Sequence, residues 1–446
     1  MGQPVRQSSQ EITHKRILHM AVPIVLGNIT VPILGVVDTG VVGQLGEAAP
    51  IGAVGIGAWV LSALIWVFGF LRMGTTGMTA QVYGSGDRLE TSAMLMRALM
   101  IAFVVGLGMI VFQAPLIWAA LQASPASPEV ESLARTYLKI RIFSTPAAVG
   151  LYAITGWMIA IERARGVMWL QLLMNAINIL LDLWFVLGLG WGVGGVAFAT
   201  LIAEWSGLAF GLYLCRDAFQ IPGWANPKRI LDRVILRRMA VVNSDILIRS
   251  LLLQAIFVSF AFVGASFSDV ELAANQVLLQ FLTVTAYAMD GFAYGAEALV
   301  GQAVGARNRR ALRRASVMAS YWAAGIAITM GLCFWLFGPW IIDLMTTAED
   351  VRVVAKVFLI YMVLSPILGW PSWMLDGIFI GATRSADMRN MMAISALAYA
   401  VALYLLMPIY GNHGLWIALL ISLTMRGITL FLRYPALERS VQADPS

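Results

Sequence analysis

The sequence predicts an all-α integral membrane protein whose twelve transmembrane helices form two pseudo-symmetric six-helix bundles. Three observations lead to this fold class. Hydrophobic residues make up 60% of the 446 residues and charged residues only 12%. The apolar residues occur in long runs, and landmarks in the first half recur in the second. A soluble protein carries about 25% charged residues, so a chain with this composition must face lipid over much of its exterior.

The apolar runs are long enough to cross a bilayer, since a spanning helix needs about 20 predominantly apolar residues. The windows predict helices over residues 17–38, 50–71, 94–120, 139–161, 167–188, 192–214, 239–264, 272–298, 315–339, 353–380, 390–410 and 412–432. The polar N-terminus leads into the first run without a small-residue cleavage site, which favours an uncleaved first helix.

The second half of the chain repeats the first. The segment Gly74–Gly84 (GTTGMTAQVYG) matches Gly295–Gly305 (GAEALVGQAVG), and each ends an apolar run before a basic loop. The remaining landmark pairs are Pro146 with Pro366 and Gly194 with Gly414. A constant separation near 220 residues is typical of a duplicated bundle.

The repeat sets the expected domains. Residues 1–215 are predicted to form the N-terminal bundle, residues 216–238 a cytoplasmic linker, and residues 239–446 the C-terminal bundle. The linker contains Pro222, Gly223, Pro227 and six basic residues. An even number of helices in each half implies that both halves have the same orientation in the membrane.

Lys and Arg concentrate in the loops on one side of the predicted spans. The positive-inside rule therefore places both termini of this multi-pass protein in the cytoplasm, and we expect it in the bacterial inner membrane. This sorting explains the net charge of +6, and it argues against binding of nucleic acid.

Ionisable side chains within hydrocarbon cost at least about 2.5 kcal/mol each, so every one needs a partner, a wet cavity or a role. Asn175, Asn178 and Asp182 have spacings that place them on one helix face. The next helix offers Thr200 and, one turn later, Glu204, and the first helix offers Asp38. Their oxygens suit Na⁺, and the carboxylates alone could carry a proton. The alternative is a buried hydrogen-bond network that only joins helices.

This polar set has no counterpart in the second half. At the repeat separation, Asn178 and Asp182 correspond to Ala398 and Ala402, and Asp38 corresponds to Ser259 or a neighbour. Simple helix-joining contacts would be expected in both halves. The difference predicts a separate role for the first half.

The second half has its own buried charges. Asp245 and Arg249 are four residues apart on one predicted helix, which favours a structural pair. Asp290 and Glu297 share a face of the next helix, and Asp376 and Arg426 are expected near them. These four residues predict either a second proton or substrate site or a charge-paired gate.

The sequence gives little support for a metal-binding site or for enzyme activity. Cys215, Cys333 and the three scattered histidines show no metal-ligand spacing. The loops are too short for a catalytic segment, so we expect no enzyme activity, no cofactor and no metal beyond a possible Na⁺.

Four segments together resemble the multidrug and toxic compound extrusion (MATE) family, in particular its DNA-damage-inducible protein F branch. They are Asn28–Gly40 (NITVPILGVVDTG), Phe70–Gln81 (FLRMGTTGMTAQ), Asp290–Glu297 (DGFAYGAE) and Leu375–Arg384 (LDGIFIGATR). The resemblance runs from the first predicted helix to the last.

The resemblance implies a V-shaped pair of six-helix bundles that exports amphiphilic, often cationic, organic compounds in exchange for H⁺ or Na⁺. It implies a cation site at Asp38, Asn178, Asp182 and Thr200, and a helix-bending role for Pro23. The family's NorM-like branch instead places its main carboxylates in the second lobe, where Asp376 lies. We expect a monomer.

One alternative function is a flippase for lipid-linked precursors on a related two-bundle scaffold. Such a protein needs a strongly basic central cavity, and only Arg249 and Arg426 lie deep in the predicted spans.

Overall fold

The computed structural model of the protein describes residues 11–44, 48–122 and 127–441, apart from the side chains at 32, 33, 35, 36, 38, 39, 42 and 48. Throughout these ranges the chain is helical and contains no strand. It divides into two compact units. The N-unit comprises Leu26–Thr79 and Asp87–Arg238. The C-unit comprises the described residues of 1–25, 80–86 and 239–446.

The helices before the linker are α1 (His14–Gly43), α2 (Ala48–Trp66), α3 (Phe70–Gly84), α4 (Arg88–Val111), α5 (Gln113–Gln122), α6 (Pro128–Arg141), α7 (Thr145–Ala160), α8 (Ala164–Asp182) and α9 (Gly192–Leu214). The linker contains the short α10 (Pro227–Ile230). The remaining helices are α11 (Arg233–Gly264), α12 (Asp269–Gly305), α13 (Arg309–Met345), α14 (Glu349–Gly381), α15 (Ser385–Tyr410) and α16 (Asn412–Ser440).

The membrane-spanning fold class is confirmed. Among the described residues, eleven helical segments are long and apolar enough to cross a bilayer, and α1 covers the first predicted window. The helices extend beyond the predicted windows: α12 has 37 residues, or about 55 Å at the usual helical rise. Hydropathy detects only the apolar middle of such a helix, whereas backbone hydrogen bonds continue into the polar ends.

The third predicted window, 94–120, is wrong as a single helix. Helix α4 ends at Val111, and α5 begins at Gln113. Pro115 explains the break, because proline has no N–H to donate to the carbonyl four residues earlier and its ring crowds the preceding turn. In the same way, a 3-10 turn at Ile142–Ser144 interrupts the helical path just before Pro146.

The repeat is visible in the backbone as well as in the sequence. Asp87 caps the start of α4 by accepting from Glu90 N at 2.8 Å, and Asn308 caps α13 by accepting from Ala311 N at 2.9 Å. Left-handed backbone conformations occur at matching positions too: Gly86 with Arg307, Glu162 with Thr383, and Gly190 with Gly411. Each pair has the same separation in sequence. Helix starts and turns are therefore repeated even where the residue types differ.

The repeated motifs meet within the C-unit. A Cβ on Gly84, at the end of α3, would overlap the carbonyl of Gln302 on α12. Reciprocally, a Cβ on Gly305 would overlap the carbonyl of Gln81. Each glycine thus lets its helix approach the backbone of the matching glutamine. The contact is reciprocal, as across a two-fold axis.

Each unit has its own apolar core. The N-unit core includes Leu61, Leu138 and Val196, and the C-unit core includes Phe260, Leu415 and Trp416. A buried hydrogen-bond network accompanies the apolar core of the C-unit. Asn275 and Asn412 exchange amide hydrogen bonds of 2.9 and 3.0 Å, and Trp416 Nε1 donates to Asn275 Oδ1 at 2.9 Å.

Candidate cation site and charge cluster

The candidate cation site lies in the N-unit, on one face of α8. Asn175, Asn178 and Asp182 are 5%, 1% and 0% exposed, as their spacing along one helix face predicts. Three polar side chains in a row are costly to bury. The surrounding helices must therefore supply compensating groups.

Two threonines on other helices bind the α8 asparagines. Asn178 Nδ2 donates to Thr200 Oγ1 at 3.2 Å, and Thr200 Oγ1 donates to the Val196 carbonyl at 3.0 Å. Asn175 Nδ2 donates to Thr30 Oγ1 at 2.6 Å, across to α1. Each threonine hydroxyl donates to its own helix and accepts from an asparagine. Both asparagines are thereby held in one orientation.

That orientation leaves acceptor oxygens free inside the site. Asn175 Oδ1 and Asn178 Oδ1 are buried and make no hydrogen bond with any group in the described part of the chain. Buried acceptors without a donor are uncommon in folded proteins. They lie on the same helix face as the fully buried carboxylate of Asp182, whose ionised form needs nearby positive charge or donors. Amide, hydroxyl and carboxylate oxygens suit a hard cation.

The backbone departs from α-helical geometry immediately after Asp182. Leu183–Gly188 form a π-helical turn, although the sequence predicted a regular helix through residue 188. Leu189 N donates to the Trp184 carbonyl, five residues earlier, at 2.9 Å and closes the turn. Such turns are rare and occur frequently at functional sites.

The remaining first-half residues have mixed placements. Asp38 lies on α1, but its side chain is outside the described residues. Pro23 is buried within α1. Glu204 forms an ion pair with Arg141 at 3.0 Å, which gives its charge a partner. Sequence reasoning missed Arg141 and Thr30, although Thr30 is a polar residue within one of the motifs that carried the family resemblance.

The C-unit holds a buried charge cluster around Asp376. Arg249 Nη2 forms an ion pair with Asp376 Oδ2, and Arg426 Nε lies 3.7 Å from the same oxygen. Arg426 Nη2 also donates to Ser372 Oγ at 2.8 Å. All four residues are buried. One carboxylate therefore faces two guanidinium groups.

The expected pairing of Asp245 with Arg249 is wrong, because each binds a group on another helix. Asp245 accepts from Ser385 Oγ at 2.9 Å and from Arg389 Nη1 at 2.5 Å, while Arg249 binds Asp376. Spacing along one helix could not reveal these tertiary partners.

Asp290 and Glu297 lie on α12, which packs closely against α14. A Cβ on Gly377 would lie 2.6 Å from the Ala293 carbonyl, and one on Gly381 would overlap the carbonyl of Glu297. Glu297 is buried, Asp290 is half-buried, and the charge of Asp290 acts on Arg426. Across the described ranges, no group of three or more His, Cys, Asp or Glu side chains could hold a metal ion.

Comparison with known proteins gives consistent results. The MatE family model matches residues 23–184 and again 246–406, so one model fits both repeats. DNA damage-inducible protein F of Escherichia coli strain K12 is 39% identical over 93% of this chain and 91% of its own length. A probable multidrug resistance protein NorM of Bradyrhizobium diazoefficiens is 25% identical over 95% and 93%. A crystal structure of MATE in the bent conformation has a TM-score of 0.85 at 21% identity, covering 96% of each chain.

Members of this family are efflux transporters rather than enzymes, and they couple transport to ions without a cofactor. The double match to the family model, the 39% identical relative and the shared helical fold together show that the chain belongs to the MatE family of multi-span membrane transporters.

Proposed function

We propose that the protein exports amphiphilic, often cationic, organic compounds in exchange for H⁺ or Na⁺. We place the coupling ion at Asp38, Asn178, Asp182 and Thr200. The observation that carries the proposal is the α8 face, where a fully buried carboxylate shares a helix face with two buried amide oxygens. The name of one relative, a probable multidrug resistance protein, supports the substrate class.

The chemistry of the site suits either ion. A proton on Asp182 would remove its charge and turn the carboxyl into a hydrogen-bond donor. A Na⁺ ion would take ligands from the carboxylate, from the free amide oxygens and from the Thr200 hydroxyl. In both cases the asparagine orientation set by Thr30 and Thr200 prepares the acceptors in advance.

The charge cluster in the C-unit favours coupling through the first half. Asp376 already faces Arg249 and Arg426, so a cation there would have to compete with two guanidinium groups. We therefore assign the second-lobe residues Asp290, Glu297, Asp376 and Arg426 to a charge-paired gate rather than to the main ion site.

Helix α1 provides a physical link between the ion and the conformation of the protein. Within the C-unit, α1 packs closely against Gly291 of α12, where a Cβ would overlap Ala21 and Val25. Within the N-unit, Thr30 of α1 accepts a hydrogen bond from Asn175. Pro23 lies in the first of these stretches and weakens the helix by removing a backbone donor. Ion binding beside Asn175 would change the Thr30 contact and bend α1 near Pro23. Ion and substrate then favour opposite conformations.

The test uses everted vesicles, with a cationic dye added outside, under separately imposed Na⁺ and pH gradients. We expect Asp182→Asn and Asp38→Asn to lower gradient-driven dye uptake at least about ten-fold, since a charge in the site is lost. Glu349→Gln, at a side chain that is 80% exposed, is the matched control and should transport normally. Wild-type uptake by Asp182→Asn under both gradients would disprove the coupling role.

The flippase alternative is weakened by the charge cluster. Arg249 and Arg426 both face Asp376, so one of their two positive charges is compensated and too little basic charge remains to form a strongly basic cavity for a diphosphate. Lipid movement between leaflets in the same vesicles, without dye uptake, would support the flippase and contradict our proposal. We further propose a monomer in the bacterial inner membrane with both termini in the cytoplasm.

A further inference from the structure

A groove of about 380 Å³ opens on the surface of the C-unit, between α13, α14 and α16. Apolar side chains line it, among them Val317, Ala324, Leu375, Ile378 and Phe431. At its rim, Tyr321 is 70% exposed and Phe431 is 66% exposed. In a membrane-spanning protein, a rim of this kind faces acyl chains.

Two hydroxyl groups lie at the inner wall of the groove. Ser316 is 3% exposed, and both Ser316 Oγ and Tyr434 Oη are buried. The two hydroxyls are neighbours, and neither makes a well-directed hydrogen bond within the described part of the chain. A hydroxyl pair of this kind can take a further hydrogen bond from a polar group of a ligand.

Basic side chains continue the groove towards the membrane surface. Positions 309, 310 and 313 lie on the same face of α13 as positions 316, 317, 320 and 324, because the spacings follow the helical repeat. Side chains of a helix point towards its N-terminus, so these arginines extend from the groove towards the headgroup region. Arg310 is exposed, and the Arg313 side chain is 72% exposed.

Acidic residues partly neutralise the positive charge of these arginines. Glu438 on α16 lies 3.6 Å from Arg309 and 4.0 Å from Arg313. Arg314, the fourth arginine of the first turns, binds Glu11 at 2.7 Å. Arg310 has no acidic partner among these contacts, so the mouth of the groove keeps a net positive charge.

We propose that this groove binds an anionic glycerophospholipid, with an acyl chain along α13 and its phosphate at Arg310 and Arg313. The inference does not depend on the transported substrate, because the groove lies wholly within the C-unit, whereas the α8 site belongs to the N-unit. Its apolar length also matches one leaflet. The stretch from Ser316 to Ala324 spans about 12 Å, and one leaflet of the hydrocarbon core is about 15 Å thick.

The experiment uses the full chain reconstituted in phosphatidylcholine vesicles that contain a small fraction of phosphatidylglycerol with a diazirine on one acyl chain. We expect photolabel on residues 316–324 and on the segment around Tyr434. Ala324→Trp fills the groove and should lower this labelling about five-fold, as each CH₂-sized contact that is lost weakens binding. Leu332→Trp, at an exposed position of the same helix, is the control and should label normally.

Substitutions of charged residues test the contact between the lipid phosphate and the arginines. Arg310→Gln and Arg313→Gln should each lower labelling about five-fold, the worth of one basic residue near an anionic lipid surface. Glu438→Gln should raise labelling, and Arg165→Gln, an exposed arginine of the N-unit, should leave it unchanged. Opposite signs for the arginine and glutamate variants exclude a general loss of folding.

Three results would overturn the proposal. Equal labelling by a phosphatidylcholine analogue would show an ordinary boundary lipid, and unchanged labelling in Ala324→Trp would place the lipid elsewhere. Competition by the transported dye would identify the occupant as substrate.

Discussion

Arg97 shows how much a single side chain can organise in this protein. It is completely buried within the N-unit, where Nη1 binds Glu90 at 2.6 Å and Nε donates to the Ile230 carbonyl at 3.0 Å. Nη2 donates to the Arg229 carbonyl at 2.5 Å. One guanidinium group thus attaches the polar segment after α9 to α4. The sequence alone did not reveal this role of Arg97, because its two carbonyl partners are 132 and 133 residues away.

We expect Arg97→Met to destabilise the protein by about 3 kcal/mol, because it leaves the carbonyls of Arg229 and Ile230 without this donor and removes one of the two arginines that bind Glu90. The check is thermal unfolding of the purified protein in detergent. Arg135→Met is the matched control: it breaks the surface pair with Glu131, whose side chains are 41% and 38% exposed, and should cost less than about 1 kcal/mol. Equal effects of the two variants would contradict the role of Arg97.

Asp217 gives a residue-scale prediction about pH. Hydrogen bonds from Arg163 lower the pKa of Asp217 below its ordinary value of 3.8, and the Asp217 side chain is 52% exposed. A lowered carboxyl pKa stabilises the folded state at pH values above the unfolded pKa. The stabilisation is lost as pH falls through the folded pKa.

Asp217→Asn should therefore lower thermal stability slightly at pH 7, by less than about 1 kcal/mol because the pair is exposed. This difference should shrink as pH falls below 3.8 and through the folded-state pKa. Thermal unfolding of wild type, Asp217→Asn, Arg163→Gln and the double variant gives the coupling energy at each pH. A coupling that stays constant across this range would rule out the carboxylate as its source.

At the scale of the element, the crossing of α3 and α12 depends on two glycines. Gly84 and Gly305 each lie against the carbonyl of the matching glutamine. The conformational freedom of glycine is not the point here, since neither residue has a positive φ. What matters is the missing Cβ, which allows the two helix backbones to come close.

Gly305→Ala and Gly84→Ala should each destabilise the protein by about 2 kcal/mol, the usual cost of overpacking. Gly325→Ala on α13 is the control. Nothing lies within 4 Å of its Cβ position, so the change should be neutral or stabilising by up to about 1 kcal/mol through helix propensity. The measurement is again thermal unfolding in detergent. A similar stability of Gly305→Ala and Gly325→Ala would argue against the tight crossing.

At the scale of the whole molecule, the two repeats share their helix starts and turns but differ in their buried charged and polar groups. Helix caps and left-handed turns recur between the repeats, and a single family model matches both. The residues of the cation site and of the charge cluster do not recur. The N-unit has a buried carboxylate beside free amide oxygens, while the C-unit has a carboxylate held by two arginines. This inequality supports our proposal that the first half carries the coupling ion.

Four features could be predicted from the sequence: the membrane-spanning class, the repeat, the family, and the common helix face of Asn175, Asn178 and Asp182. Hydropathy, helical spacing and internal similarity are local or regular properties, and they can be read along the chain. The partners of these buried charged and polar side chains could be identified only from the packing of the helices. This packing joined Arg249 to Asp376, Arg141 to Glu204 and Thr30 to Asn175. The π-helical turn after Asp182 also appeared only in the tertiary structure. Such pairings depend on how distant helices pack, and charges in a low-dielectric interior take the partners that packing brings within reach.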